Sequence, residues 1–470
     1  MSAHAGPRPL APSGIPLGGA LRARLPTVTS VSDWPRTTRL LPWSLAGFLA
    51  MIFLFPFDNT DLPIPLPLDA TLDRPVLMVI VGLWVISAST LMGVRRLNFG
   101  PVHKAFALFT VIAITSVVLN FETLNNLGQA DLAVKKLALL FSYVVLFVIA
   151  ASSLRPTEVR RLTTFMVGLA SITAIGLIVE YRTGFNPFYK WGEKIVPGVS
   201  PPPDFVTYDS LGRKTIVGPD GHPLAAAMSL AMVLPFAVMG LFRAERTKQR
   251  VLYGLATALL LGGAVATQRK TALIVPVATL IVLAAYRPKL ALKRLPLGFV
   301  LVALIVTAAP GALKGVADQL KPSAVTGVLS TKDRVSDYDA IKPDMINHLF
   351  IGRGYDSYDQ KRYRILDNQY LTLAVNVGLL GVFGFVVLMF SGMRLAHRCA
   401  RSRDPDRSWF GPAAVAGILG LTLGSALLDT LTYPQLPYLF CFLAAFATIS
   451  ARGLPSARTE WRESLIEHER

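Results

Sequence analysis

Long apolar runs alternate with short polar connections from residue 39 to residue 450. Each run holds about 17–24 residues, enough for a helix to cross a hydrocarbon core of about 30 Å. The pattern predicts about twelve spans, at 39–57, 75–94, 104–120, 137–154, 161–180, 222–242, 251–267, 271–286, 295–311, 368–391, 408–428 and 433–450. Helices pair their backbone groups within one segment, as a membrane interior requires. The expected fold is an all-α polytopic membrane protein. Its transmembrane domain covers residues 36–451, flanked by a disordered cytoplasmic tail at 1–35 and a cytoplasmic C-terminal tail at 452–470. Residues 1–35 are rich in Pro, Arg, Ser and Gly and lack the apolar core of a signal peptide.

Composition agrees with this pattern. The chain is 52% hydrophobic and 16% charged, with mean hydropathy +0.49, whereas soluble domains carry about 25% charged residues. Its net charge of +18 does not point to nucleic acid. The cations concentrate in "VRRLNFGPVHK", "RPTEVRR", "RAERTKQR", "RPKLALKR" and "RLAHRCARSRDPDR", which fall on alternate connections. The positive-inside rule places those connections, and both termini, in the cytoplasm. The two cysteines, Cys399 and Cys441, offer neither a disulfide framework nor metal spacing.

Two connections on the opposite side are long, at 181–221 and 312–367; connections of that length are usually functional. Within the second, "STKDRVSDYDAIKPDMINHLFIG" has apolar residues near helical spacing and predicts an amphipathic helix on the outer face.

The stretch "AVATQRKTALIV" breaks the charge rule by placing Arg269 and Lys270 on the outer side. Other outward cations join them: Arg213 and Lys214 in "LGRKTIVGPDGHP", Arg334 in "TKDRVSDYD", Arg353 in "IGRGYDSY", and Lys361, Arg362 and Arg364 ahead of Asp367. Guanidinium forks at a membrane surface suit the phosphate oxygens of a lipid diphosphate, and they stabilise charge on a departing diphosphate. Asp367 or His222 could supply a base. Structural roles compete with these readings: interfacial anchoring for Arg269 and Lys270, helix capping for His222 and Asp367, and turns for Gly352 and Gly354. There is no GxSxG, Walker loop, HExxH or CxxC motif, and no metal or cofactor is expected.

"IGRGYDSY" followed by "DNQYLTLAVNVGLLG" resembles the C-terminal signature of the O-antigen ligase and polymerase superfamily, matched at Gly352, Gly354, Tyr358, Asn368, Leu371, Gly378 and Gly381. "ATQRKTAL" is similar to the family's arginine box, which puts Arg269 on the arginine. "GRKTIVGPDGHPLAAA" resembles an earlier segment covering Arg213 and His222, and Arg334 heads the segment running into "IGRG". One departure stands out: Asp367 occupies the place of the ligases' histidine.

The resemblance implies a metal-independent membrane glycosyltransferase of the GT-C type in the bacterial cytoplasmic membrane. It implies a polyprenyl diphosphate-linked glycan as donor and a glycan or lipid-linked acceptor on the outer side. Membrane lipids and proteins of polysaccharide assembly and export are the implied partners. On this reading Arg269, Arg334 and Arg213 hold the diphosphate, with Lys270, His222 and Arg353 beside them. Asp367 activates or orients the acceptor hydroxyl, Asn368 and Tyr370 shape the site, and the reaction inverts the anomeric centre. The alternatives are a transporter or lipid-linked oligosaccharide flippase and a non-catalytic scaffold. Transporters usually carry ionisable residues and inverted repeats inside their spans, and neither pattern stands out here.

Overall fold

A computed structural model describes residues 39–60, 71–90, 99–196, 198–199, 214–269, 271–293, 341–343, 345–358 and 366–452, with isolated positions at 303, 307 and 311. Among the described residues the named elements are helices, and an isolated antiparallel bridge joins Thr60 to Val199. They run α1 (Leu40–Leu54), α2 (Asp73–Ser89), α3 (Pro101–Leu119), α4 (Phe121–Asn126), α5 (Ala130–Ser153), α6 (Pro156–Thr183), α7 (Pro187–Ile195), α8 (Pro223–Arg243), α9 (Thr247–Ala266), α10 (Thr271–Tyr286), α11 (Gln369–Asn376), α12 (Gly378–Ala400), α13 (Pro405–Gly424) and α14 (Gln435–Ser450). Two 3-10 turns, Phe57–Asn59 and Thr430–Thr432, lie between them.

Six helices (α3, α5, α6, α8, α9 and α12) are long and apolar enough to cross a membrane. Three shorter apolar helices, at Leu40–Leu54, Ala272–Tyr286 and Gln435–Ser450, accompany them. Helices stand at eleven of the twelve predicted intervals; the ninth, 295–311, lies mostly outside the described residues. The interval 368–391 is not one continuous span. It breaks at Val377 into α11 and α12, because the chain turns there on Gly378 with φ +71°. Lys135 and Lys136, hidden in sequence by the apolar run that follows, belong to α5 rather than to a connection.

Two helices form the interior. Every residue of α14 is buried, and so are nearly all of α8. α8 lies among α6, α9, α10 and α13, while α14 lies among α1, α5, α6, α8, α12 and α13. Small residues make such proximity possible, since apolar helices in lipid gain from tight packing rather than from leaving water. A Cβ on Gly417 of α13 would stand 2.5 Å from the Met232 carbonyl oxygen of α8. At the other end of the bundle from the site described next, Asp406 at the start of α13 receives Arg160 of α6 (3.6 Å) and Arg243 of α8. These pairs are half-exposed, and such pairs contribute at most about 1 kcal/mol.

Candidate active site

The site is assembled from four connections: the 3-10 turn after α1, residues 214–222 ahead of α8, the turn between α9 and α10, and the segment 425–435 that leads into α14. The entrance of α11 closes it.

Residues 214–222 are held from below. Glu180, in the last turn of α6, accepts hydrogen bonds from the Val217 (3.1 Å) and Gly218 (2.9 Å) amides, and Asn186 Nδ2 donates to the Gly218 carbonyl (3.0 Å). That anchoring delivers Asp220, Gly221 and His222 to the start of α8. His222 is the N-cap, and its Nδ1 accepts from the Leu224 amide at 3.3 Å. Pro223 follows at the first helical position, where a missing N–H costs nothing. Burial, reinforced by the Arg269 charge, pushes the His222 imidazole from its ordinary 6.5 down to about 4. The sequence reading that His222 caps a helix is therefore met, while its candidacy as a base is weakened, because the ring's acceptor nitrogen is already engaged.

Arg269 comes from the short turn joining α9 to α10. Thr267 and Gln268 close back on the Ala264 (3.1 Å) and Val265 (2.9 Å) carbonyls, and Gln268 adopts φ +55°. A non-glycine residue in this left-handed region costs roughly 1–2 kcal/mol, so the turn is strained just where it presents Arg269. Arg269 is half-buried and stands within electrostatic reach of His222.

Tyr433 joins these residues to the rest. Its ring stacks on the His222 imidazole, with centroids 4.8 Å apart and planes tilted by 31°. Burial raises the Tyr433 phenol above its usual range, and the charges of Asp367, Asp429 and Asp58 push the same way. Asp367 is exposed at the entrance to α11, whereas Asp429 is buried and accepts from Thr432 Oγ1 at 3.0 Å.

Beneath them Asp58 accepts from Gln435 Nε2 (2.9 Å) and from Asn59 Nδ2 (3.4 Å), and Asn59 Nδ2 also reaches the Tyr189 hydroxyl (2.7 Å). Burial, opposed by the Gln435 hydrogen bond, lifts the Asp58 carboxyl from 3.8 to about 7. Asp220 is fully buried; Ser229 approaches one of its oxygens at 3.4 Å, and burial followed by Asp58 raises its carboxyl well above the ordinary range.

The N-cap of α11 is Asn368 rather than Asp367: its side chain accepts from the Tyr370 (3.0 Å) and Leu371 (3.3 Å) amides. Capping by its neighbour leaves Asp367 outside the helix. Gln369 is committed to the frame, donating from its amide to the Ser425 carbonyl (2.8 Å) and accepting the Leu431 amide (2.6 Å). The Tyr370 hydroxyl donates to the Thr422 carbonyl (2.8 Å). Asn368 and Tyr370 thus set the position of Asp367 and of segment 425–431.

The glycine-rich segments have a different task. A Cβ on Gly352 would fall 2.3 Å from the Asn376 carbonyl carbon, and one on Gly378 would fall 2.3 Å from that of Phe350. Both glycines have φ +71°. Their two strips of backbone touch and exchange hydrogen bonds: Arg353 to Val375 (3.1 Å), Gly354 to Asn376 (2.8 Å), and Leu379 back to Leu349 (2.8 Å). Ser116 of α3 fastens both strips, donating to Ile351 (2.6 Å) and Asn376 (3.1 Å). Tyr358 and Leu371, two further signature positions, are buried together with Ile341, Leu366 and Val375. Arg353 lies on this strip, half-buried, and Asp356 beside it pairs with Lys136 at 3.2 Å.

The structure thus stacks His222 on Tyr433, with Arg269 in electrostatic reach of the first and Asp367 of the second. It places Asn368 and Tyr370 in the supporting frame and Arg353 on the glycine strip. Arg213, Lys270 and Arg334 lie outside the described residues. Residues 255–386 match the family model described as O-antigen ligase. That segment is similar to the O-antigen ligase family. No curated protein matches the chain. The O-antigen ligase segment contains the Arg269 turn, both glycine strips and Asp367. Six helices long and apolar enough to cross a membrane accompany the match, as expected of a membrane protein.

The O-antigen ligase segment does not contain Asp58, Asp220, His222, Asp429 or Tyr433. Of these, sequence reasoning selected only His222 as a site residue. The "GPDGHP" turn next to an apolar run was the available signal for Asp220. Asp58, Asp429 and Tyr433 carry no local signal, because only the folded chain brings residues 58 and 435 within hydrogen-bonding distance.

Proposed function

We propose that this protein transfers or polymerises glycan from a polyprenyl diphosphate-linked donor onto a sugar hydroxyl at the outer face of the bacterial cytoplasmic membrane. The observation that carries the reading is that a half-buried arginine, Arg269, and an exposed carboxylate, Asp367, both lie within electrostatic reach of the stacked His222–Tyr433 pair. In the reaction the acceptor hydroxyl oxygen bonds to the anomeric carbon as the bond from that carbon to the phosphate oxygen breaks. The bonding pair leaves with the diphosphate, whose growing charge Arg269 stabilises, with Arg213 and Arg334 assigned to the same task. The hydroxyl proton passes to Asp367. Attack opposite the leaving group inverts the anomeric centre.

Arg269→Ala removes one charge-stabilising donor and should lower transfer by roughly 10²–10³-fold. The measurement compares lipid-linked glycans in cells with wild-type protein, no protein, or the variant at equal membrane levels. Undecaprenyl-linked repeat units accumulating on the outer leaflet, with polymer lost, support the proposal. Accumulation on the inner leaflet replaces it with flipping, and full activity of a folded Arg269→Ala protein removes Arg269 from the mechanism.

A further inference from the structure

His222 has a fixed chemical state that its geometry alone defines. A backbone N–H can donate only to a nitrogen lone pair, and the Leu224 amide donates to Nδ1 at 3.3 Å. Nδ1 therefore carries no proton, and the ring's hydrogen belongs on Nε2. Nε2 makes no hydrogen bond among the described residues. The stacked Tyr433 ring holds the imidazole plane. Arg269 stands within electrostatic reach of the imidazole, so an anion drawn to this guanidinium comes near the Nε2–H donor.

Resting on the glycan-transfer reading above, we infer that His222 donates Nε2–H to a diphosphate oxygen of the carrier, and that Tyr433, whose ring stacks on the imidazole, is the residue positioning it. His222 is thereby a binding residue and not the base. A neutral donor beside Arg269 adds a directed hydrogen bond to the anion without adding a second buried charge, which would raise the cost of the empty site.

Two substitutions separate this role from capping. Asparagine is a strong N-cap whose side-chain oxygen takes the place of Nδ1, so His222→Asn keeps the cap and loses the donor. Glutamine reaches further and places an N–H donor near the position of Nε2, so His222→Gln restores the donor at the cap's expense. The full chain in lipid nanodiscs is titrated with farnesyl diphosphate, and melting is recorded alongside. His222→Asn should weaken binding by about 10–100-fold, the range for a hydrogen bond to a charged group, without lowering the melting temperature. His222→Gln should melt lower yet recover most of the affinity. Tyr433→Ala should weaken binding more than Tyr433→Phe, which keeps the stacking ring.

Nitrogen-15 spectra of histidine-labelled protein, with the signal identified by its loss in His222→Asn, should show a protonated Nε2 that shifts when farnesyl diphosphate is added. A protonated Nδ1, wild-type affinity in His222→Asn, or no binding by the wild type would each overturn the inference. If Arg269→Ala abolishes glycan transfer in cells while His222→Asn binds normally, the transfer reading stands and this one fails. If Arg269→Ala transfers normally, the failure belongs to the reading beneath it.

Discussion

Two turns in the O-antigen ligase segment look alike in sequence, both short, both glycine- or threonine-flanked, both carrying an arginine, yet they are built in opposite ways. The loop at 351–358 is fixed by a second strip of backbone at 375–380 and by Ser116 from α3, and two glycines allow the contact. The turn at 267–269 closes on its own backbone and on the Thr267 hydroxyl, which donates to the Ala264 carbonyl at 2.8 Å, and it carries left-handed strain at Gln268. The first turn spends its motif residues on making a surface; the second spends a strained residue on presenting one side chain. A family signature therefore mixes two kinds of position, those that shape the backbone and those that present a side chain.

The comparison breaks most visibly at Gly378. Gly378→Ala adds a left-handed penalty of about 1–2 kcal/mol and an overpacking cost of about 1–3 kcal/mol against Phe350, so the protein should lose about 2–5 kcal/mol of stability. Thermal unfolding in nanodiscs would read it as loss of the folded protein together with its activity. In the other turn, Arg269→Lys keeps the charge and discards the guanidinium fork; transfer should drop about tenfold or more while melting stays within a degree or two. An unchanged Gly378→Ala melt, or an Arg269→Lys protein that melts with the severity of a backbone lesion, would erase the distinction.

A smaller effect tests the half-buried Asp58 that Gln435 holds. Asp58 binds its proton more tightly folded than unfolded, so its contribution to stability is present in acid and is lost as pH rises from about 4 through about 7. His222 shifts the other way, and its contribution is lost as pH falls from 6.5 through about 4. The two slopes oppose one another in one window. Asp58→Asn should remove the first and leave melting temperature rising with pH between 4.5 and 6.5. A profile identical to wild type would show that Asp58 is not buried as described. The smallest expected change is at Gln268: Gln268→Gly relieves the left-handed strain and should stabilise by less than about 1 kcal/mol, because glycine's unfolded-state entropy offsets part of the gain. Turnover should fall a few-fold as Arg269 loses its fixed aim.

Much of the fold was legible because membrane spans are written as contiguous hydropathy. The break at Val377 was not, since α11 and the start of α12 are both apolar and the decisive feature is the backbone of Phe350 pressing on Gly378. Arg269 stands out in sequence as a site candidate because its charge contradicts its surroundings. The site was illegible where a residue gains meaning from distant partners: Asp58 from Gln435, and Tyr433 from His222. Asp367 stands out in sequence both as a site candidate and as a helix cap, and the neighbouring Asn368 takes the capping role.

The burial of α14 has a consequence for biosynthesis. This helix follows every other described helix in the chain, yet it occupies the interior, in contact with α1, α5 and α12. Ribosomes add about 5–20 residues per second, so the whole O-antigen ligase segment is made several seconds before residues 433–450 exist. Until then Asp58 lacks Gln435, Asp73 lacks the Tyr438 hydroxyl that meets it at 2.7 Å, and His222 lacks its stacking partner. Polar groups left open in a half-built bundle are costly within lipid. The final helix therefore acts as a keystone: its insertion satisfies those groups and completes the site in one step, and assembly is coupled to synthesis reaching that point.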